Sequence, residues 1–319
     1  MRNYFIINPK AGKGKRAEGL EAKIREVCDA RGADYEVYYT TEVGDATRFV
    51  RSVCAREGSL PARFFACGGD GTLGEVVNGA VGYEGAVVGL IPSGTGNDFV
   101  RNFSDKGLFF DIGAQLDGES VKIDMLRCND LYAINMINIG FDCEVVKKKE
   151  TIQARGVLPS RLAYIFGLVY TLIKKPGVHA RVSFDGEVAE RKYLLTTFAN
   201  GEFCGGGFHS NPLAAINDGK CDILLVNDIS RTKFVSLVGR YKKGTHICKK
   251  TEKLLTARKC SEIDIEFFGM QSISVDGEIF DFESVNISVV PGAISFSVPA
   301  GVMPPEYFSS NLEKAEANV

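Results

Sequence analysis

The residues that could do chemistry in this chain are concentrated in three short loops, each preceded by a run of apolar residues. They read Asn8-Pro9-Lys10-Ala11-Gly12, Cys67-Gly68-Gly69-Asp70-Gly71-Thr72 and Ser93-Gly94-Thr95-Gly96-Asn97-Asp98. Glycine lets main-chain N–H groups approach a ligand closely, and a helix that begins at the loop adds the positive end of its dipole. A tight strand-to-helix turn would explain each loop taken singly, but three such loops together favour phosphate binding.

Each loop is predicted to join a strand to a helix. The apolar runs Tyr4–Ile7, Phe64–Ala66 and Ala86–Pro92 predict buried strands, and apolar residues at helical spacing follow each loop. This order is typical of an open α/β sheet, whose ligand loops lie at one edge. We therefore predict one nucleotide site built from all three loops. Asp98 is expected at the start of the third helix, where a carboxylate is favourable.

A dinucleotide fingerprint is the main alternative for the first loop. The segment Gly12–Ala17 fits the pattern G-x-G-x-x-A, but it begins five residues after Ile7 instead of at the strand end. The acidic residue expected after the next strand is also missing, since Tyr35–Tyr39 is followed by threonines. The loop contains four cations, which suits a triphosphate better: Lys10, Lys13, Lys15 and Arg16.

Taken in order, the motifs of this chain resemble those of the diacylglycerol kinase catalytic-domain family, which includes bacterial lipid kinases and the eukaryotic sphingosine and ceramide kinases. Besides the three loops, the resemblance covers Gly205-Gly206-Gly207-Phe208, Pro212-x-Ala214-x-x-x-Asp218-Gly219 and Val275-Asp276-Gly277-Glu278. The loop Gly-Gly-Asp-Gly-Thr also occurs in NAD kinases and phosphofructokinases, so the ordered set carries the assignment.

The resemblance implies a fold, a reaction and a set of site residues. The fold is an N-terminal open α/β nucleotide-binding domain followed by a larger β-sandwich domain. The reaction is transfer of the γ-phosphate of ATP, with Mg²⁺, to a lipid hydroxyl, with diacylglycerol as the default acceptor. The implied ATP contacts are Asn8, Pro9, Lys10, Ala11, Gly12, Thr41, Gly69, Asp70, Gly71, Thr72, Leu73, Gly74, Glu75, Thr95 and Asn97.

The same resemblance implies the metal sites. Asp98 and Asp124, with Asp70 beside them, would hold the active-site Mg²⁺ directly or through water. A second, structural Mg²⁺ would be bound by Asp218 and by the carbonyl groups of Ala215 and Lys220. Two departures from the family pattern bear on these sites. Asn217 replaces an aspartate and removes one negative charge, and Gly74 replaces an asparagine and removes a side-chain hydrogen bond.

The implied catalytic residues are Glu278, Asp276 and Asp70, with either Asp276 or Glu278 as general base on the lipid hydroxyl. A plain β-hairpin also explains Asp276-Gly277-Glu278. The chain contains the same tripeptide at Asp185-Gly186-Glu187, where nothing else indicates a function. Only the resemblance selects the second copy, and which carboxylate acts stays open.

The pattern of apolar residues changes near residue 125. Alternating apolar positions, as in Val178, Ala180, Val182 and Phe184, predict an antiparallel β domain. We predict an ATP-binding kinase domain over 1–125, a lipid-substrate β-sandwich over 126–305 and a polar tail over 306–319. The apolar segment Leu162–Ile173 is too short for a transmembrane span of roughly 20 residues. It is interpreted as a buried helix, with an acyl-chain wall as the functional alternative.

Composition limits the partners and the compartment. A net charge of −2 over 319 residues argues against an electrostatic nucleic-acid partner. Nine cysteines without paired spacing, and no secretory signal, favour a reducing cytoplasm. Lysine pairs such as Lys242-Lys243 leave peripheral contact with an anionic membrane as a hypothesis. A homodimer is left open.

Three function classes follow from the sequence. A lipid kinase is preferred, acting on diacylglycerol or on another lipid alcohol such as a sphingoid base or phosphatidylglycerol. An NAD kinase-type phosphotransferase shares only the central loop. A non-enzymatic nucleotide-binding regulator is disfavoured, because every acidic position expected of an active member is present.

Overall fold

The computed structural model describes residues 1–14, 19–94, 96–154, 167, 170–171, 174 and 177–303. Thr95, most of the apolar segment Leu162–Ile173 and the tail 306–319 lie outside these residues. The chain divides into two compact units. Unit 1 contains Met1–Met125, Ala215–Asp218 and the chain from Val290, and unit 2 contains Leu126–Ala214 and Gly219–Val289. The units are therefore not the continuous ranges 1–125 and 126–305, since two later segments join the first unit.

Unit 1 is built on a parallel sheet. Its strands are β1 Arg2–Ile7, β2 Tyr35–Tyr39, β3 Ala62–Gly68 and β4 Ala86–Pro92, in the order β2-β1-β3-β4. The helices that connect them are α1 Leu20–Arg31, α2 Asp45–Glu57 and α3 Asp70–Ala80; a short α4, Ile112–Leu116, follows later. Every residue of β3 and β4 is buried, as expected for parallel strands covered on both faces. The predicted open α/β domain is confirmed.

Helix α1 ends where the sequence predicts. It ends before Gly32, whose φ of 61° is left-handed and whose N–H closes the last turn. On one face of the sheet, α1 and α4 pack over Phe5, Phe65 and Cys67. These packed elements hold the carboxyl ends of β1, β3 and β4 side by side at one edge of the sheet.

Unit 2 consists mainly of antiparallel strands, as predicted. Its strands and helices include β6 Leu131–Ala133, β7 Met136–Gly140, α5 Phe141–Ala154, β8 Val178–Phe184, β9 Glu187–Ala199, β10 Phe203–Cys204, β11 Phe208–His209, β12 Cys221–Asn227, α6 Arg231–Lys243, β13 Leu255–Cys260 and β14 Glu262–Val275. Two further strands, β5 Glu119–Cys128 and β15 Glu278–Val298, contain the boundaries between the units. The main sheet of unit 2 runs β13-β12-β9-β7-β14-β15.

The two faces of the unit 2 sheet bury different residues. One face carries a large aliphatic core that includes Ile137, Phe198 and Ile273. The other face packs Leu195 and Leu224 against α5 and α6. Side chains alternate along a strand, so each strand contributes to both layers. Among the described residues, no helix has the length and apolar character needed to cross a bilayer.

Candidate active site

The three predicted loops meet at the carboxyl edge of the unit 1 sheet. Asn8 follows β1 and donates its side-chain N–H to Thr72 Oγ1 at 3.1 Å, which ties the first loop to α3. Its Oδ1 accepts the main-chain N–H of Lys10 at 3.0 Å, which shapes the turn itself. The asparagine is therefore a bridge between two loops.

The second and third loops touch through their backbones. The main-chain N–H groups of Ser93 and Gly94 donate to the carbonyl of Gly68 at 2.7 and 3.0 Å. A Cβ on Gly94 would lie 2.5 Å from the Cα of Gly69, so no larger residue fits there without a shift of the backbone. A Cβ on Gly71 would meet no atom within 4 Å, which leaves the start of α3 open to a ligand. The glycines thus allow the two loops to touch and leave the start of α3 accessible to a ligand.

Asp70 lies at the first position of α3, and its carboxylate faces the third loop. It accepts the main-chain N–H groups of Asp98 at 3.0 Å and Phe99 at 3.2 Å. Burial raises the pKa of the Asp70 carboxyl, while these two N–H groups act in the opposite direction. Asp70 therefore holds the third loop against the start of α3. Its proposed part in catalysis stays a prediction.

Asp98 lies at the start of Phe99–Asn102, which is a short 3₁₀ turn and not the longer helix that the apolar spacing predicts. Within the described chain its carboxylate does not cap that turn; it pairs with Arg101 Nε at 3.1 Å, and Asp70 caps the turn instead. The sequence cannot show this exchange of roles, because Asp70 reaches these N–H groups only through the contact between the second and third loops.

Asp124, on β5, is buried and is held by two other segments of unit 1. Its Oδ1 accepts the N–H of Gly292 at 2.8 Å, and its own N–H donates to the carbonyl of Ile216 at 2.8 Å. The described residues contain no group of three or more histidine, cysteine or acidic side chains arranged to bind a metal. Asp70, Asp98 and Asp124 therefore do not form a three-carboxylate cage.

A cavity of about 100 Å³ opens beside the first loop. Its lining is formed by Asn8, Lys10, Thr40, Thr41, Glu42, Val43, Thr72 and Glu75. This volume suits a phosphate group or a few waters but not a whole nucleotide, since ligand pockets usually measure several hundred Å³. The cavity brings together five of the predicted ATP contacts, which are Asn8, Lys10, Thr41, Thr72 and Glu75.

Sequence reasoning missed Thr40, Glu42 and Val43, although they follow the carboxyl end of β2 at the same edge as the glycine loops. Thr41 is held in place by Asp45, which accepts both its N–H at 2.8 Å and its hydroxyl at 2.9 Å. These bonds, the main-chain one above all, lower the pKa of Asp45. The rule that the loops after parallel strands lie at one edge of the sheet could have identified this fourth loop.

The remaining predicted ATP contacts have varied surroundings. Leu73 is fully buried in the core of unit 1, so its side chain cannot reach a ligand. Asn97 has a left-handed backbone with φ 50° and donates to the carbonyl of Gly94 at 3.0 Å, which shapes the third loop. Gly74 receives the side chain of Asn78 on its carbonyl. Pro9, Ala11 and Gly12 lie in the turn that Asn8 organises.

In unit 2, Asp276 is the first residue of the turn between β14 and β15. Its carboxylate accepts three consecutive main-chain N–H groups, from Ile134 at 2.7 Å, Asn135 at 3.1 Å and Met136 at 2.8 Å. The carboxylate therefore anchors the segment that leads into β7. Glu278 follows on β15 and is partly buried, opposite Val275. Since Asp276 is occupied as an acceptor, Glu278 is the better candidate for a general base.

The segment anchored by Asp276 supports the loop that carries the triple-glycine motif. The carbonyl of Asn135 accepts the N–H groups of Asn200 at 2.9 Å and Gly201 at 3.0 Å. The side chain of Asn135 donates to the carbonyl of Phe203 at 2.9 Å. Asp276 is thus linked through one short segment to a second motif of the resemblance, which the sequence places far away.

Of the residues predicted to bind the structural Mg²⁺, Ala215 and Asp218 belong to unit 1 and Lys220 to unit 2. The Lys220 ammonium donates to Ser261 Oγ at 2.9 Å. This site stays a prediction.

The three histidines lie in different surroundings in unit 2. His209 bonds Glu202 through Nε2 at 2.5 Å, and Gly244 packs against its Nδ1. Burial lowers the pKa of His246 to about 4, so this ring is neutral at physiological pH. His179 stacks on Phe268 at the surface of unit 2.

Comparison with known proteins finds two family models that match successive parts of the chain. A model described as "Diacylglycerol kinase catalytic domain" matches residues 2–128, and one described as "YegS C-terminal NAD kinase beta sandwich-like domain" matches residues 135–298. The predicted β-sandwich after an α/β domain is thereby confirmed.

Individual relatives extend over most of the chain. A diacylglycerol kinase of Staphylococcus carnosus is 28% identical over 282 residues, which covers 87% of this chain and 88% of the relative. A diacylglycerol kinase of Bacillus subtilis is 24% identical over 280 residues, with 87% and 89% covered. A crystal structure of a Bacillus anthracis protein provisionally described as a diacylglycerol kinase superposes with a TM-score of 0.75 at 25% identity, and covers 95% of this chain and 96% of that one. Since the two models between them match nearly the whole chain, the protein belongs to the family that joins a diacylglycerol kinase catalytic domain to a YegS-type β-sandwich domain.

Proposed function

We propose that the protein is an ATP-dependent lipid kinase that transfers the γ-phosphate of ATP to the hydroxyl of diacylglycerol and produces phosphatidic acid. The observation that carries this proposal is the backbone contact between Gly69 and Gly94 beside the open start of α3. Two glycine loops and a helix N-terminus at one sheet edge are suited to a polyphosphate, and the family named above supplies the lipid acceptor.

Phosphate binding falls to groups on unit 1. Main-chain N–H groups of the glycine loops and the first turn of α3 would receive the phosphate chain. Lys10 adds a positive charge to the cavity, and Asn8 with Thr72 fixes the wall of that cavity. Positioning and charge stabilisation of this kind supply most of the catalysis in phosphoryl transfer.

Magnesium fits this site as a companion of the nucleotide. Mg²⁺ is usually bound by one or two carboxylates together with substrate phosphates and water, and it neutralises phosphate charge. The described residues offer separate carboxylates and no cage, which matches that mode. Asp98 and Asp124 are the residues that we propose would hold it.

The acceptor hydroxyl is assigned to unit 2. Glu278 would take the hydroxyl proton as it attacks, while Asp276 keeps the segment before β7 in place. A carboxylate of ordinary pKa, about 4, is a weak base for an alcohol, so its benefit depends on how far proton transfer has advanced in the transition state.

The test is phosphate transfer from radiolabelled ATP with Mg²⁺, followed by chromatography of the products. Parallel reactions contain micelles with diacylglycerol, monoacylglycerol, a sphingoid base or phosphatidylglycerol, or contain NAD⁺, or contain no acceptor. We expect label in phosphatidic acid. Label found only in another lipid would identify that lipid as the acceptor. Label found only in NADP⁺ would show that the protein is an NAD kinase and not a lipid kinase. A protein that labels none of them would refute the proposal.

A matched pair of variants tests the nucleotide site. Thr72→Val removes the hydroxyl that accepts from Asn8, and we expect a KM for ATP raised by roughly tenfold at an unchanged KM for lipid. Thr47→Val removes a hydroxyl that donates to the Glu75 carbonyl at 2.8 Å, outside the cavity lining, and is the control. Equal kinetics of the two variants would place the nucleotide elsewhere.

A further inference from the structure

The positive charge of this chain is concentrated in one segment of unit 2, which consists of α6 and the loop after it. The whole chain contains 38 cationic and 40 acidic side chains, but residues 231–253 contain eight of the cations and a single acidic side chain. All eight of these cations are exposed. The remainder of the chain is therefore clearly acidic, and the segment has the opposite sign of charge.

Helix α6 has one apolar side and one charged side. Phe234, Leu237 and Tyr241 are buried in the apolar layer that also contains residues of α5. The outer side of the helix is exposed and has no acidic residue. Val235 lies on that outer side and is 55% exposed. A cationic outer side around an exposed apolar residue is typical of helices that lie on a membrane surface.

The lysines of this segment are not neutralised by carboxylates of the described part of the protein. The lysine ion pairs that the structure shows lie elsewhere, at Lys147 and Lys259. Cations near a helix C-terminus interact favourably with its dipole, which would account for Lys242 and Lys243. The same effect is unfavourable for Lys233 in the first turn, so the helix dipole does not explain the whole set.

The loop after α6 lies against the helix. Arg240 Nη1 donates to Cys248 Sγ at 3.6 Å, and the N–H of Thr245 donates to the carbonyl of Arg240 at 3.0 Å. Two lysines follow Cys248 directly. Helix and loop therefore form one basic surface, here named the α6 surface. Its cations are Lys233, Arg240, Lys242, Lys243, Lys249, Lys250 and Lys253.

The α6 surface adjoins the hairpin of β10 and β11, which carries the triple-glycine motif. Lys242 Nζ lies 5.9 Å from the centre of the Phe208 ring on β11. Gly244, directly after α6, packs against Nδ1 of His209 on the same strand. The C-terminal end of the basic helix is therefore in direct contact with this hairpin.

The same hairpin is linked to the acceptor end of unit 2, meaning Asp276–Glu278 and the segment that Asp276 anchors. His209 stacks on Phe203 with ring centres 4.5 Å apart. The carbonyl of Phe203 accepts the side chain of Asn135, whose own N–H binds Asp276. A lipid surface that contacts α6 would thus lie beside the structure that supports the acceptor end.

A bilayer fits the α6 surface better than a nucleic acid does. Proteins that bind single-stranded nucleic acid usually add aromatic side chains that stack on the bases. The exposed positions of residues 231–253 include no aromatic side chain. Anionic headgroups need no stacking, and clustered lysines are attracted to them over a distance of about a Debye length, roughly 10 Å.

We propose that the α6 surface docks the protein on the anionic surface of a phospholipid bilayer and so brings the acceptor end of unit 2 to its substrate. Docking itself does not depend on catalysis. Its consequence for turnover rests on the lipid kinase activity proposed above.

The first experiment measures co-sedimentation of the purified protein with vesicles of phosphatidylcholine, prepared with or without phosphatidylglycerol. We expect binding to the vesicles that contain phosphatidylglycerol, and we expect added salt to weaken it because salt screens exposed charges. Equal binding to both kinds of vesicle would refute the docking proposal.

The second experiment locates the surface. Lys243→Gln combined with Lys250→Gln should raise the dissociation constant for the anionic vesicles by roughly 25-fold, about fivefold for each lost charge. The control is Lys23→Gln combined with Lys106→Gln, two exposed lysines of unit 1, which removes the same charge and should have less than about a twofold effect. Thermal unfolding shows that both double variants are folded. An equal loss in the two would refute the assignment to the α6 surface.

The third experiment connects docking to turnover. For diacylglycerol presented in anionic vesicles, the α6 double variant should raise the KM for lipid by about the same roughly 25-fold factor, with the KM for ATP unchanged. For 1,2-dioctanoylglycerol in neutral detergent micelles, the same variant should have wild-type kinetics. A loss of the same size in neutral micelles would show that these lysines act on the reaction and not through the bilayer, and would refute the proposal.

The outcomes also separate docking from the proposed function. A protein that docks on anionic vesicles through α6 but phosphorylates no lipid supports the docking surface and refutes the kinase proposal. A protein that phosphorylates dioctanoylglycerol in micelles but does not prefer anionic vesicles refutes the docking surface only. Tight binding to an RNA or DNA oligonucleotide, without preference for anionic vesicles, would show that the surface binds nucleic acid and would also refute docking.

Discussion

The hairpins Asp185-Gly186-Glu187 and Asp276-Gly277-Glu278 have the same three residues and nearly the same backbone. The aspartates have φ values of 50° and 47°, and the glycines 78° and 93°, as in a type I′ turn. Asp185 and Glu187 are exposed, whereas Asp276 and Glu278 are partly buried, and Asp276 binds three main-chain N–H groups. The tripeptide therefore specifies a turn, and only the segment that approaches it distinguishes the second copy.

The comparison also separates the two carboxylates of the second hairpin. Asp276 accepts hydrogen bonds from a neighbouring segment of backbone, while Glu278 is the residue that we propose as the base on the lipid hydroxyl. If both carboxylates took part only in catalysis, replacing either one would have the same effect on turnover and on stability. We expect instead that the two replacements differ in their effect on stability.

The largest expected effect is on turnover. Glu278→Gln should lower kcat by about 10²- to 10⁴-fold, the usual contribution of a general base, with the free energy of unfolding changed by less than about 0.5 kcal/mol. Steady-state kinetics of Glu187→Gln, in the first hairpin, provide the control, which should retain wild-type activity. Similar kcat values for the two variants would show that this hairpin does not supply the general base.

The next effect is on stability. Asp276→Asn replaces one acceptor oxygen by an amide that faces N–H donors, so the free energy of unfolding should fall by roughly 3 kcal/mol and activity should be lost as well. Asp185→Asn should change that free energy by less than about 0.5 kcal/mol, because the side chain is exposed. Urea unfolding of both variants measures the difference, and a stable Asp276→Asn would contradict the anchoring role.

A third carboxylate shows what happens without an array of N–H groups. Asp142 on α5 receives the Tyr241 hydroxyl at 3.0 Å, and burial raises its pKa to about 6. The folded state therefore holds this proton between pH of about 4 and 6, where an unfolded aspartate releases it, and the protein loses stability as pH rises through that window.

Asp142→Asn should abolish this loss. We expect the variant to be more stable than the wild type by on the order of 2 kcal/mol at pH 8 and equal to it near pH 4. Urea unfolding at both pH values gives the difference between the proteins, in which the opposite titration of His246 cancels. A difference that is the same at both pH values would show that the Asp142 carboxyl titrates normally.

The smallest effect should be equal in the two hairpins. Gly186→Ala and Gly277→Ala both force a side chain into a left-handed conformation, and neither Cβ would meet an atom within 4 Å. Each should lower the free energy of unfolding by about 1 kcal/mol. A much larger loss at Gly277 would show that its backbone, and not only its carboxylates, is constrained by the surroundings.

Much of unit 1 could be predicted from the sequence because its signals are local. A continuous apolar run, a glycine loop and a helical period lie within about 20 residues of one another, so β3, α3 and β4 follow from neighbouring positions. The common edge of parallel strands then places Asn8, Asp70 and Asp98 near each other. The same rule also implied Thr40, Glu42 and Val43, which the sequence interpretation did not use.

The sequence by itself determined the order of elements, the two glycine loops and the turn geometry of both hairpins, because backbone conformation depends on residues that are adjacent in the chain. Tertiary structure decided that Asp70 caps the turn after Asp98 and that Asp276 holds Ile134–Met136. These roles depend on N–H groups and side chains separated by tens to more than a hundred residues. Only the fold determines which donor reaches which carboxylate.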